Sequence, residues 1–130
     1  MSTDELIAEA RLAAEQAYAP FSRFRVGAVA VDSAGNHYSG ANVENSAYGS
    51  GICAEGSAIS RAVSAGARKL DTVAVSCIDA TEPGYPCGNC RQLMVEFGVE
   101  RVIVDGPDGP IVHTLDELIP HMFRLDPDGR

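Results

Sequence analysis

The chain has 130 residues, 45% of them hydrophobic, with 18 acidic against 10 basic side chains and a formal net charge of −8. That length suits one domain spanning residues 1–130 with its own core; no apolar run approaches the roughly 18 residues that cross a membrane, and the negative mean field disfavours a polynucleotide partner. The opening Met1-Ser2-Thr3-Asp4-Glu5 carries acid where a secretory or mitochondrial leader carries base, which makes the cytoplasm the expected location. In chain order, Ser2-x-x-Glu5 forms a capping-box pattern, and Leu6, Ala10, Ala13 and Ala17 share a face, predicting a helix over residues 2–18 that Pro20 stops. Arg25 to Asp32 reads as a mostly apolar strand. Ser33-Ala34-Gly35-Asn36 reads as a hairpin turn, and His37 to Glu44 as the antiparallel return strand. A second helix is expected over Ala54 to Ala65, ended by Gly66, then a strand over Thr72 to Ile78. A third helix, Gly88 to Phe97 with Leu93 and Phe97 on one face, ends at Gly98 and leads into a strand over Arg101 to Asp105. After the turn Gly106-Pro107-Asp108-Gly109-Pro110 come a short edge strand at Ile111 to His113 and a last helix capped by Thr114-x-x-Glu117. The alternation of strands and helices implies parallel strands with right-handed crossovers, joined to an antiparallel hairpin: a mixed α/β sheet flanked by helices.

The residues that carry chemistry are Cys53-Ala54-Glu55 and, 34 residues after Cys53, Pro86-Cys87-Gly88-Asn89-Cys90. Each group opens a predicted helix. A Cys-x-x-Cys turn at one helix start brings two sulfurs to a common ion, and a third cysteine at a neighbouring start completes one face of a tetrahedron. Three protein ligands leave the fourth position open for water, the mark of a catalytic rather than a structural zinc. Three thiolates leave an excess negative charge, which helix dipoles can offset; Arg91, directly after Cys90, is a further candidate as donor to a ligand sulfur. Glu55, two residues after a ligand, is placed to exchange protons with that water without binding the metal.

A closed zinc knot needs a fourth ligand, and His37, His113 and His121 stand at no spacing that supplies one. The histidines also lack a carboxylate or cysteine partner at helical or turn spacing and are read as surface or packing residues. A redox Cys-x-x-Cys would explain Cys87 and Cys90 but not Cys53 and Glu55. Cys77, at the end of an apolar strand, is expected to be a buried structural thiol outside the site.

At these motifs the sequence resembles the small homotetrameric zinc-dependent cytidine deaminases. Cys53-Ala54-Glu55 fits their first motif and Pro86-Cys87-Gly88-Asn89-Cys90-Arg91-Gln92 their second; Ala19 to Ala28 and Asn42-Val43-Glu44-Asn45 also look like family segments. The resemblance implies a three-layer α/β/α fold around a mixed five-stranded sheet. It implies one Zn2+ per subunit on Cys53, Cys87 and Cys90, with Glu55 as proton shuttle. It further implies that Asn42 and Glu44 hold the ribose hydroxyls, that Phe24 packs at the base, that backbone at Ala54 contacts the ring, and that Tyr48 and Phe123 serve sites shared across subunit boundaries of a homotetramer. The expected reaction is hydrolytic deamination of cytidine and deoxycytidine, within pyrimidine salvage. One departure stands out: where these enzymes often carry arginine after the catalytic glutamate, this chain has Gly56, and Gly49-Ser50-Gly51-Ile52 reads as a loose pocket wall. That wall leaves open a deaminase of a modified cytosine nucleoside, such as a blasticidin-like antibiotic. A non-catalytic zinc-stabilised interaction domain and an editor of polynucleotides are the remaining alternatives, the latter disfavoured by charge.

Overall fold

Period-two alternation along three central strands decides the layering. The structure, a computed structural model describing residues 2–125, places Val29 of β1 (Val26–Asp32), Ala74 of β3 (Leu70–Cys77) and Ile103 of β4 (Arg101–Gly106) on one face, against Leu6, Ile7 and Ala10 of α1 (Thr3–Ala14). Their neighbours Ala28, Ala30, Val73, Val75, Val102 and Val104 point the other way, into a larger core with α2 (Ala54–Ser64) and α3 (Gly88–Glu96). Strands buried on both faces are largely apolar, which is why they read as near-continuous hydrophobic runs, although β1 also buries Asp32 and β3 Thr72 and Ser76. The expected three-layer α/β/α arrangement is the one observed.

Sheet order is β2-β1-β3-β4-β5, with β2 (His37–Ala41) and β5 (Gly109–Thr114) at the edges. Only β3 and β4 pair in parallel; β1 runs antiparallel to both β2 and β3, so α2 carries the chain over β1 rather than to an adjacent strand. β5 returns antiparallel to β4, and α4 (Leu115–Leu118) follows behind the predicted capping box of Thr114 and Glu117. No helix among the described residues is long and apolar enough to cross a membrane.

The end of α1, the end of β2 and the buried face of α3 differ from expectation. α1 ends at Ala14 rather than near Tyr18, and its buried stripe is Leu6, Ile7, Ala10 and Ala14. Ala13 and Ala17 lie off that stripe, and small alanines carry too little hydrophobic signal to have shown it. β2 stops at Ala41, because residues 42–44 leave β1 to thread between two other segments: Val43 bridges both Tyr18 and Ile52. α3 buries Cys90, Met94 and Val95, with Leu93 and Phe97 only partly covered. The close seating of α2 depends on Gly40, where a Cβ would stand 2.5 Å from the backbone nitrogen of Ala58. At the far end of α2, Gly66 takes the φ of +108° that lets the chain turn back into the sheet.

Candidate active site and metal centre

Cysteine stands at the N-cap of both α2 and α3. Cys53 and Cys87 adopt extended backbone, with ψ of 155° and 170°, and both residues are exposed. First-turn N–H groups of α3 turn toward the Cys87 sulfur, where they favour an anion. Cys90 lies in the first turn of α3 and is fully buried. The three Sγ atoms lie within 4.8 Å of one another. A tetrahedral zinc with Zn–S bonds of about 2.3 Å sets its sulfurs roughly 3.8 Å apart, so the cluster needs to close by about 1 Å at most. Soft sulfur donors in this number fit zinc and leave one corner free.

The electrostatics ask for a cation. Burial pushes the Cys90 thiol far above its ordinary range, and the charges of Glu55 and Cys53 push it further. Burial also raises Cys53. Cys87 goes the other way: burial opposes ionisation there, but N–H donation from the backbone of Cys90, contact with the neighbouring thiols and the backbone of Asn89 together outweigh it. That donation is the helix-start compensation expected from the sequence. Arg91 is not part of it, since its Nε donates to Pro86 O at 2.8 Å and its Nη1 to Leu118 O at 2.6 Å. The guanidinium ties the cysteine turn to α4. Gly56 sits among apolar neighbours, where a Cβ would lie 3.7 Å from Ile52 Cγ2 and from Leu93 Cδ1.

Glu55 is the second residue of α2 and only 5% exposed. Loss of solvent raises its carboxyl above the usual range, which favours a group that holds and returns a proton. Ala54, beside it, is fully buried.

The remaining residues singled out in the sequence fall into two groups. Asn42 and Glu44 are half-buried and tied down by hydrogen bonds. Asn42 Oδ1 accepts from Val26 N–H at 2.8 Å while its Nδ2 donates to Phe24 O at 2.9 Å; Glu44 Oε1 accepts from the N–H groups of Phe21 and Ser22 at 2.9 and 3.1 Å, and Ser22 Oγ donates to Oε2. These hydrogen bonds, led by that of the Ser22 hydroxyl, hold the Glu44 carboxyl below its usual range. Glu44 and Tyr48 line a cavity of about 380 Å³ together with Phe21, Ser22, Asn45 and Gly51; its lining stops two residues short of Cys53. The wall read as loose is ordered: Tyr48–Ser50 forms a 3₁₀ turn, and Val43 and Ile52 exchange both backbone hydrogen bonds at 2.9 Å. Phe24, Tyr48 and Phe123 are 50%, 82% and 66% exposed, so none is a core aromatic. Gln92 Nε2 donates to Phe123 O at 2.7 Å, holding the end of the described chain against α3.

Two expectations need correction. Cys77 is half-buried rather than buried. His37 Nδ1 lies 2.8 Å from Glu9 Oε2, a partner 28 residues away, but His113 does have a carboxylate at short spacing, with Glu117 Oε2 2.9 Å from its Nδ1. The second pair stands at i,i+4, a spacing visible in the sequence but spanning a strand end and a helix start, where helical spacing does not ordinarily imply contact. The clasp made by Asn42 and Glu44 had no such local signal, because its partners lie 16 to 23 residues away.

Residues 1–105 match the cytidine and deoxycytidylate deaminase zinc-binding region. The chain belongs to that family. The cytidine deaminase of Sporosarcina psychrophila is 43% identical over 129 residues, spanning 97% of this chain and 94% of that one. The cytidine deaminase of Mycobacterium tuberculosis H37Rv is 40% identical over 115 residues, spanning 88% and 84%. The crystal structure of cytidine deaminase from Burkholderia pseudomallei superimposes with a TM-score of 0.87 at 38% identity, covering 95% of this chain and all of that one. Family and donor set agree: zinc is the cofactor, and Cys53, Cys87 and Cys90 are positioned to bind it.

Proposed function

We propose that this chain hydrolyses cytidine and deoxycytidine to uridine and deoxyuridine with release of ammonia. The observation that carries the reading is a buried carboxyl, Glu55, opening the same helix that presents Cys53 to a three-sulfur cluster. Zinc held by Cys53, Cys87 and Cys90 supplies the Lewis acidity that makes water a nucleophile at neutral pH. Glu55 takes a proton from the attacking water and delivers it to N3 of the pyrimidine as a C4–O bond forms. It then passes the second water proton to the 4-amino group, the C4–N bond breaks, and ammonia departs as the C4 carbonyl is established. One carboxyl serves each transfer because its raised affinity for protons keeps both of its states accessible.

The sugar is assigned to Asn42 and Glu44. After the hydrogen bonds to residues 21–26, Asn42 keeps one Nδ2 hydrogen and Glu44 keeps one acceptor site, on Oε2, for ribose hydroxyls. We assign Phe24 to the base and the backbone of Ala54 to the ring. The exposure of Tyr48 and Phe123 supports a homotetramer in which each completes a neighbouring subunit's site. Four free cysteines suit the reducing cytoplasm, where the activity serves pyrimidine salvage.

Ultraviolet loss of cytidine absorbance, run on zinc-replete and chelator-stripped protein, tests the reaction. Glu55→Gln is expected to lower kcat by about 10²–10⁴-fold with zinc content unchanged; normal turnover in that variant removes the proposed shuttle. We assign the contacts of Asn42 and Glu44 to the 3′ side of the sugar rather than its 2′ position, which predicts turnover of both nucleosides; activity on one sugar alone overturns that assignment.

A further inference from the structure

Cys87 is the ligand with the least secondary structure behind it. Residues 78–87 form neither helix nor strand, and Cys87 stands at the end of that loop as the N-cap of α3, whereas Cys90 is already inside the helix. The position of its sulfur therefore depends on what pins the loop.

Three contacts do so. At the front, Arg25 holds Asp79 through its backbone N–H, Nε and Nη2, each at 2.9 Å. At the back, Pro86 is fully buried and its carbonyl accepts from Arg91. Between them Tyr85 extends its hydroxyl to His113 Nε2 at 2.9 Å, its ring tilted 57° against the imidazole with centroids 5.4 Å apart. His113 is fixed in turn by Glu117, whose Oε2 lies 2.9 Å from Nδ1 while its Oε1 accepts from Thr114 in the cap of α4. A carboxylate only accepts, so Nδ1 carries the hydrogen, and in the tautomer with its hydrogen on Nδ1 alone Nε2 accepts from the Tyr85 hydroxyl. The chain Tyr85–His113–Glu117 thus has one consistent direction of donation and ends on a capped helix.

We infer that His113 is a positioning residue for the Cys87 ligand: by joining Tyr85 to Glu117 it anchors the last loop residues before the cysteine turn to the corner between β5 and α4. The inference rests on the zinc reading of the three sulfurs and extends it to a residue that touches neither metal nor substrate. Hydrogen-bonded partners beyond the ligands commonly change metal affinity by about 10–100-fold. Acting through the chain rather than on the sulfur itself, this tether belongs below that range.

Tyr85→Phe removes one hydroxyl, and His113→Phe keeps a ring while removing both nitrogens. Transfer of zinc from each variant, the double variant and the parent to a chromophoric chelator is measured beside the sulfur-to-cobalt charge-transfer bands of the cobalt-substituted proteins. Each single variant is expected to release zinc roughly three- to tenfold faster and to shift or broaden the bands, with the double variant no faster than the faster single. Release within twofold of the parent with unchanged bands, even if the melting temperature falls, overturns the inference and leaves His113 a packing contact. Multiplied effects in the double variant overturn it too, since Tyr85 and His113 would then act separately. A parent that takes up no stoichiometric zinc defeats the metal reading itself and this inference with it.

Discussion

Two regions flank the start of α2, and they are secured by opposite means. On one side, Cys53, Cys87 and Cys90 bring together three sulfurs, and burial disfavours ionisation of Cys53 and Cys90 while the start of α3 favours it at Cys87, so the corner is completed by a cation. On the other, Asn42 and Glu44 bind the backbone of residues 21–26 with hydrogen bonds of 2.8–3.1 Å and need no ion. In the proposed function, catalytic chemistry belongs to the region that cannot stand alone, and substrate placement to the one already assembled.

The largest separation between the two comes from Cys90→Ser. Zinc content and cytidine turnover are expected to fall to background, while hydrogen exchange at the amides of Phe21, Ser22 and Val26 stays slow; fast exchange there would mean that the clasp leans on the metal corner. Asn42→Ala reverses the test. Leaving Val26 N–H and Phe24 C=O without their partner costs about 1–3 kcal/mol in chemical denaturation, with zinc stoichiometry retained. Loss of zinc from that variant would merge the two regions into one cooperative unit.

The smallest effect concerns the ion pair that links them, Arg25 beside the clasp and Asp79 at the front of the cysteine loop. The guanidinium and backbone N–H of Arg25 lower the Asp79 carboxyl from 3.8 to about 2. A carboxyl held lower in the folded state stabilises the fold above its unfolded value and loses that contribution as pH falls through the folded one. Asp79→Asn is therefore expected to be less stable than the parent at pH 5–7, with the gap closing between pH 3.8 and about 2. The pair is solvent-accessible, so the gap is small and shrinks with salt; a gap that persists below pH 2 would assign it to packing.

How much of this was legible in the sequence follows from where each feature's partners lie. Cys53, Glu55, Cys87 and Cys90 announce themselves by residue type and short spacing, and helix starts are among the best-signalled positions in a chain. The sheet's layering was equally open, since runs such as Val73-Ala74-Val75 can only be buried on both faces. Asn42 and Glu44 resemble any polar turn until the fold brings residues 21–26 beside them. Arg91 drew attention through its neighbour Cys90, yet its partners Pro86 O and Leu118 O are carbonyls, which every residue possesses and no sequence pattern marks. The early end of α1 was hidden for a related reason, because alanine is equally at home inside and outside a helix's buried stripe.

The order of strands has one more consequence. Because α2 passes over β1 to reach β3, the sulfur at position 53 meets those at 87 and 90 where both helices pack on one face of the paired strands β1 and β3. Metal capture is therefore expected to be a late step in assembly, and a captured ion clips together a stretch of 34 residues. Such a clip slows escape from the native state more than it speeds arrival there, so zinc should lengthen the protein's unfolding lifetime while leaving its refolding rate nearly unmoved.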